Sequence, residues 1–151
     1  MIRILCTVMG VLFCLVGIAG FPMPTMLDMH LSTAHNVLHL GTGILAVYFG
    51  TRSETSARRF AQIFGVIYLL VGIIGVVSPP GIFTLHHVSA GMPDDHLLKL
   101  VPTHLEFGTA DSAMHILLGA LLAITGFVPA KIEAKADRSV ERVKENAGAK
   151  R

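Results

Sequence analysis

Four apolar runs divide this chain: about Ile4 to Phe21, Ala34 to Phe49, Phe60 to Val77 and Ala113 to Val128. Each approaches the ~20 residues that a helix needs to cross ~30 Å of hydrocarbon at ~1.5 Å per residue, the second and fourth falling somewhat short. A segment in lipid must satisfy its own backbone N–H and C=O groups, so helices are the expected form. Composition agrees: 151 residues that are 52% hydrophobic and 15% charged, with 15 Gly and no Trp, are too apolar for an ordinary soluble domain. The expectation is an all-α integral membrane protein. Its four transmembrane helices fall at about 4–21, 34–50, 58–78 and 110–129, with an outer loop insertion at about 79–108 and a charged tail over 131–151.

The chain repeats itself. Residues 10–20 read GVLFCLVGIAG and residues 65–75 read GVIYLLVGIIG; residues 33–43 read TAHNVLHLGTG and residues 109–119 read TADSAMHILLG. Helices one and three are offset by 55 positions and helices two and four by 76, which leaves 21 extra residues in the second outer loop. A duplicated helical hairpin is expected, with a pseudo-two-fold axis along the membrane normal. Because the second copy of the first motif lies mid-chain, the N-terminal run is read as a retained helix, although Arg3 and the small residues Ala19 and Gly20 superficially suit a signal peptide. Each helix also carries two glycines seven apart: Gly10 and Gly17, Gly43 and Gly50, Gly65 and Gly72, Gly119 and Gly126. Two turns put each pair on one face, where a neighbouring backbone can come close.

All eight histidines fall on one side of this layout, and eleven of the twelve Lys and Arg residues fall on the other, Lys99 being the exception. The positive-inside rule then places both termini in the cytoplasm. The tail, with seven Lys and Arg against four acids, is too polar to build a core and is expected to be solvated or to lie on the bilayer surface. Cys6 and Cys14 share one helix about 12 Å apart along its axis, too far to pair, and read as small hydrophobes.

His35 and His39 lie four apart on the second helix, and Asp111 and His115 four apart on the fourth, so each pair projects from one helical face. If the glycine faces pack inward, three imidazoles and one carboxylate meet near the outer surface. That donor set suits tetrahedral zinc. It equally suits a structural role, with Thr33 and Thr109 as N-caps, Asp111 against the helix dipole, and His39 and His115 hydrogen-bonding across the bundle. A haem held between His39 and His115 is a third reading. Met23, Met26, Met29 and His30 in the first outer loop form a softer set suited to copper, and so do His86, His87, Met92, His96 and His104 with Asp94, Asp95 and Glu106 in the insertion. The Met-rich stretch reads as well as an apolar strip on the bilayer interface.

The sequence holds no phosphate-cradling loop, nucleophile elbow, CxxC pair or dinucleotide fingerprint. It also has no basic face with interleaved aromatics, so nucleic acid is not an expected partner. A zinc hydrolase would need an open coordination position, and four protein ligands leave none obvious.

The motifs HNVLH in helix two, FGVIYLLVG in helix three and TADSAMHILLG in helix four resemble those of a bacterial family of small four-helix membrane proteins, domain of unknown function 4383. The resemblance runs from about Met1 to Pro129. It implies a bacterial inner-membrane protein and a polar outer cluster that includes Asp111 and His115, and it implies no activity. Two classes of function remain: a non-catalytic membrane component that associates with itself or with a membrane complex through its glycine faces, and a metal- or cofactor-binding protein using His35, His39, Asp111 and His115.

Overall fold

In the computed structural model, residues 1–77, 98–101, 105–128, 138, 139 and 142 are described. The rest of the tail lies outside the described residues, as do His86, His87, Met92, Asp94, Asp95, His96 and His104 of the insertion. The chain runs α1 (Ile2–Ala19), a 3-10 turn (Met26–Asp28), α2 (Thr33–Arg52), α3 (Glu54–Val77), β1 (Leu98–Val101), β2 (Leu105–Phe107) and α4 (Thr109–Phe127).

Local chemistry sets the ends. Pro22 and Pro24 cannot continue α1, since each lacks an N–H and clashes with the preceding turn. Where the sequence suggests a turn over about 51–57, the helices run on until only Ser53 separates them. Ser53 is extended, and its Oγ accepts the Ser56 N–H at 3.1 Å, an N-cap that starts α3 at once. A small antiparallel hairpin, β1 with β2, accompanies the helices, and in it Leu98 pairs with Phe107 and Lys99 with Glu106. Its strands are too short for their alternating pattern to stand out.

α1 packs along α2, and α3 along α4, each far more extensively than the two pairs meet one another. Glycine makes this possible. A Cβ on Gly10 would lie 2.7 Å from both Gly43 O and Val47 N, and one on Gly72 would lie 2.7 Å from Ser112 O and Ile116 N. Cβ atoms on Gly65 and Gly119 would run into the backbones of Ala123 and Leu69. The helix backbones touch where any side chain would hold them apart.

Burial is inverted relative to a water-soluble bundle. The outward faces carry Ile4, Leu15, Ile44, Ile63, Leu117 and Ile124, all exposed, whereas the buried set includes His35, Asn36, His39, Thr42, Asp111, Ser112 and His115. Exposed side chains of that size would each forfeit about 1.5–3 kcal/mol of burial in water, a loss that vanishes in hydrocarbon. Among the described residues, α1, α3 and α4 are long and apolar enough to cross a membrane. α2 is not in that set, because its buried polar residues lower its mean hydropathy; its outward Val37, Leu38, Ile44 and Leu45 remain apolar.

Candidate functional site

The polar residues gather at the N-terminal ends of α2 and α4. The Oγ of Ser32 accepts the His35 N–H at 3.2 Å, so Ser32 rather than Thr33 caps α2. At α4 the N-cap is Gly108 rather than Thr109. Glycine has no side-chain acceptor, and Asp111 supplies one by reaching back so that its Oδ2 takes the Gly108 N–H at 2.8 Å. The same oxygen takes the His30 N–H at 2.8 Å, tying the first outer loop to α4. The His30 carbonyl in turn accepts His35 Nδ1–H at 2.9 Å. His115 donates its Nδ1–H to the Asp111 carbonyl, one turn back on its own helix, at 2.6 Å.

The rings form a continuous stack. His35 lies 4.5 Å from His39, His39 5.5 Å from Phe13, Phe13 5.2 Å from Tyr68, and Tyr68 5.0 Å from His115, measured between centroids. Phe107 closes the outer side edge-on, 4.9 Å from His35 and 5.2 Å from His115. His35, His39, Asp111 and His115 are 2%, 6%, 1% and 8% exposed, so all four are more than nine-tenths buried.

The structure thus brings together the three imidazoles and the carboxylate that the sequence singles out, but through ring faces rather than converging nitrogens. Asp111 Oδ1 is 4.0 Å from His35 Nδ1, whose proton already points to His30. Among the described residues, no group of three or more His, Cys, Asp or Glu side chains is arranged to hold a metal ion. Of the softer candidates, Met29 is buried, Met23 is exposed and Met26 lies between.

Among the described residues, the buried polar atoms of this region with no hydrogen-bond partner include His35 Nε2, Asn36 Oδ1, His39 Nδ1 and Asp111 Oδ1. A carbonyl can only accept, so His35 and His115 carry their proton on Nδ1, and in the neutral ring each Nε2 is a bare lone pair.

Two cavities flank the stack. One, of about 220 Å³, lies between α1 and α4 and is lined by Phe13, Val16, Met29, Asp111 and Met114. The other, of about 260 Å³, lies between α2 and α3 and is lined by His35, Thr42, Phe64 and Phe107. His39, Tyr68 and His115 border both. Phe13, Tyr68 and Phe107 were not among the residues singled out from sequence; the signal was there, since Phe13 and Tyr68 hold the same position in the repeated motif.

No family model matches this chain, and no curated protein or solved structure is significantly similar to it. What the site can do is read from its own atoms.

Proposed function

We propose that the protein is a four-span, non-catalytic membrane component, a duplicated hairpin whose outer end is closed by the histidine and aspartate cap. The observation that carries this reading is the use made of Asp111: one oxygen holds both the His30 and the Gly108 N–H, joining the two halves of the chain. The duplication is supported by contacts that recur at the sequence offsets. Gly10 meets Val47 while Gly65 meets Ala123, and Gly43 meets Cys14 while Gly119 meets Leu69. Arg3 donates to Gly50 O and Thr51 O, and Arg58, its counterpart in the repeat, donates to Thr125 O and Val128 O, which flank the corresponding pair Gly126 and Phe127. α2 serves as the fourth span, its polar residues turned inward. The arginines at the end opposite the histidines favour cytoplasmic termini. Placement in a bacterial inner membrane, like membership of the family it resembles, rests on the three motifs alone.

The glycine pairs are consumed within the hairpins, so association has to use other faces. α2 offers one, since Val37, Ile44, Leu45 and Tyr48 are exposed around Gly41, beside which a Cβ would meet nothing within 4 Å. A Gly41→Cys variant oxidised in native membranes should give a covalent dimer. Failure to cross-link, with a monomer mass by light scattering and no co-purifying protein, would remove the association reading.

A second reading, metal or cofactor binding, is favoured by the bare Nε2 atoms of His35 and His115. Metal-ligating histidines are commonly held this way, with the other ring nitrogen donating to a carbonyl. Zinc or copper would require the stacked rings to turn. Haem does not fit the cavities, each smaller than the ~300–1,000 Å³ typical of sites for drug-sized ligands. Elemental analysis and an absorption spectrum of the purified protein test this reading directly.

A further inference from the structure

At the end of the molecule opposite the histidine cap, the two hairpins differ in how they treat one arginine. Arg3 and Arg58 hold corresponding places in the repeat, and both donate to carbonyls at the end of the neighbouring helix. Arg58 also pairs with Glu54, whose Oε1 accepts an Nη2–H at 3.1 Å. Arg3 has no carboxylate partner among the described residues. It is exposed, and with Nε and Nη2 engaged by Gly50 O and Thr51 O its Nη1 donors stay uncommitted there.

A cleft of about 400 Å³ opens beside this guanidinium between α1 and α2, lined by Arg3, Ile4, Thr7, Val8, Gly50 and Thr51, with no acid lining it among the described residues. Side-chain length accounts for the difference from the second hairpin. There Gln62 takes the place that Thr7 has in the first, and its amide crosses to Gly126 O at 2.9 Å. Thr7 instead donates its hydroxyl to Arg3 O at 2.9 Å, within its own helix, and does not cross to α2. Ile4 and Val8 are exposed, and Val11 and Leu15 continue the same face of α1 at helical spacing. An apolar stripe therefore runs from the cleft toward the middle of the span, below an exposed positive charge.

We propose that this cleft binds one anionic phospholipid per chain, its phosphate on the Arg3 guanidinium and an acyl chain along Ile4, Val8, Val11 and Leu15. The inference rests on the membrane-spanning reading, which puts the first turn of α1 at headgroup level and the stripe in hydrocarbon. A guanidinium offers phosphate oxygens charge-assisted hydrogen bonds, and basic clefts between helices at the membrane surface suit anionic headgroups. Arg52, at the same end of α2, adds to the positive potential. A zwitterionic lipid carries a cation of its own beside the phosphate, so the site discriminates by net headgroup charge.

Delipidated full chain in detergent provides the test, with dioleoylphosphatidylglycerol as the anionic probe and dioleoylphosphatidylcholine as its zwitterionic counterpart. Native mass spectrometry should show one phosphatidylglycerol retained per chain, with an apparent Kd at least about fivefold below that of phosphatidylcholine, the effect of one basic residue at an anionic headgroup. Arg3→Gln should remove that preference, although the amide can still donate to Gly50 O, and Arg58→Gln should leave it intact. Val8→Trp obstructs the apolar part of the cleft and keeps Arg3, so it should weaken retention of phosphatidylglycerol whether or not Arg3→Gln folds. Equal binding of the two lipids would overturn the proposal, as would a preference undiminished in Arg3→Gln, retention undiminished in Val8→Trp, or an equal loss in Arg58→Gln. Inorganic phosphate that displaces the lipid at comparable concentration would overturn it in favour of a free-anion site. Release of the chain from native membranes by alkaline carbonate without detergent would remove the spanning reading itself, whereas resistance to that wash with no lipid preference would remove the proposal alone.

Discussion

One carboxylate oxygen of Asp111 serves two backbone N–H groups and the other has no hydrogen-bond partner, so substitutions here separate the role of an accepting oxygen from that of charge. Asp111→Ala should strand both donors at about 1–3 kcal/mol each. Asp111→Asn retains an accepting oxygen and should lose markedly less. Thermal unfolding in bicelles reads the difference, and equal losses would show that charge rather than acceptor geometry matters. The histidines pose a different question. With faces stacked, the expected outcome is that Zn²⁺ leaves the melting temperature of wild type and His35→Ala alike. A shift that grows with Zn²⁺ concentration and disappears in His35→Ala and His115→Ala would overturn the structural reading in favour of a metal site. The sequence could not decide between these cases. Spacing places His35 and His39 on one face of α2, and the repeat places His39 and His115 at one depth, but the orientation of the His35 and His115 rings is set by a nearby carbonyl, that of His30 and of Asp111 respectively, which no periodicity reveals.

Among the elements, α2 and α4 end alike, and each end is held by a cation from the neighbouring helix. Arg3 reaches Gly50 O at 3.1 Å and Thr51 O at 2.6 Å, and Arg58 reaches Thr125 O at 3.3 Å as well as Val128 O. Positive charge on unpaired C-terminal carbonyls is worth about 0.3–1 kcal/mol. Arg3→Ala and Arg58→Ala should each cost about that much in stability, and because they act in different hairpins their effects should add. A non-additive double variant would mean that the two ends are coupled. Glycines give a sharper contrast. Gly10→Ala drives a methyl into the α2 backbone and should open the first hairpin, whereas Gly41→Ala meets nothing and should be neutral or gain up to about 1 kcal/mol from helix propensity. The seven-residue glycine spacing was legible in the sequence because close approach admits no other side chain. The caps were not, since Thr33 and Thr109 have the right chemistry one residue too late, and a glycine N-cap completed by Asp111 leaves no compositional mark.

At the scale of the whole molecule, the apolar runs were legible as helices because length and hydropathy are additive along a chain. The exception is instructive. α2 fails a simple hydropathy criterion among the described residues because an inward polar stripe and an outward apolar one average out, and only the three-dimensional arrangement separates them. The same arrangement puts Arg3 and Arg58 at one end of the molecule and His35, His39 and His115 at the other. If positive charge is retained on the cytoplasmic side, a reporter fused after Arg151 should be active only in the cytoplasm, and one inserted near Met92 only outside. The Arg59→Glu and Arg58→Glu changes, alone or together, should weaken but not reverse this orientation, because Arg3, Arg52 and the basic tail still act in the same sense. The opposite reporter pattern would turn the histidine cap toward the cytoplasm. The positive-inside argument would then have failed for a chain in which eleven of the twelve Lys and Arg residues fall on one side of the layout.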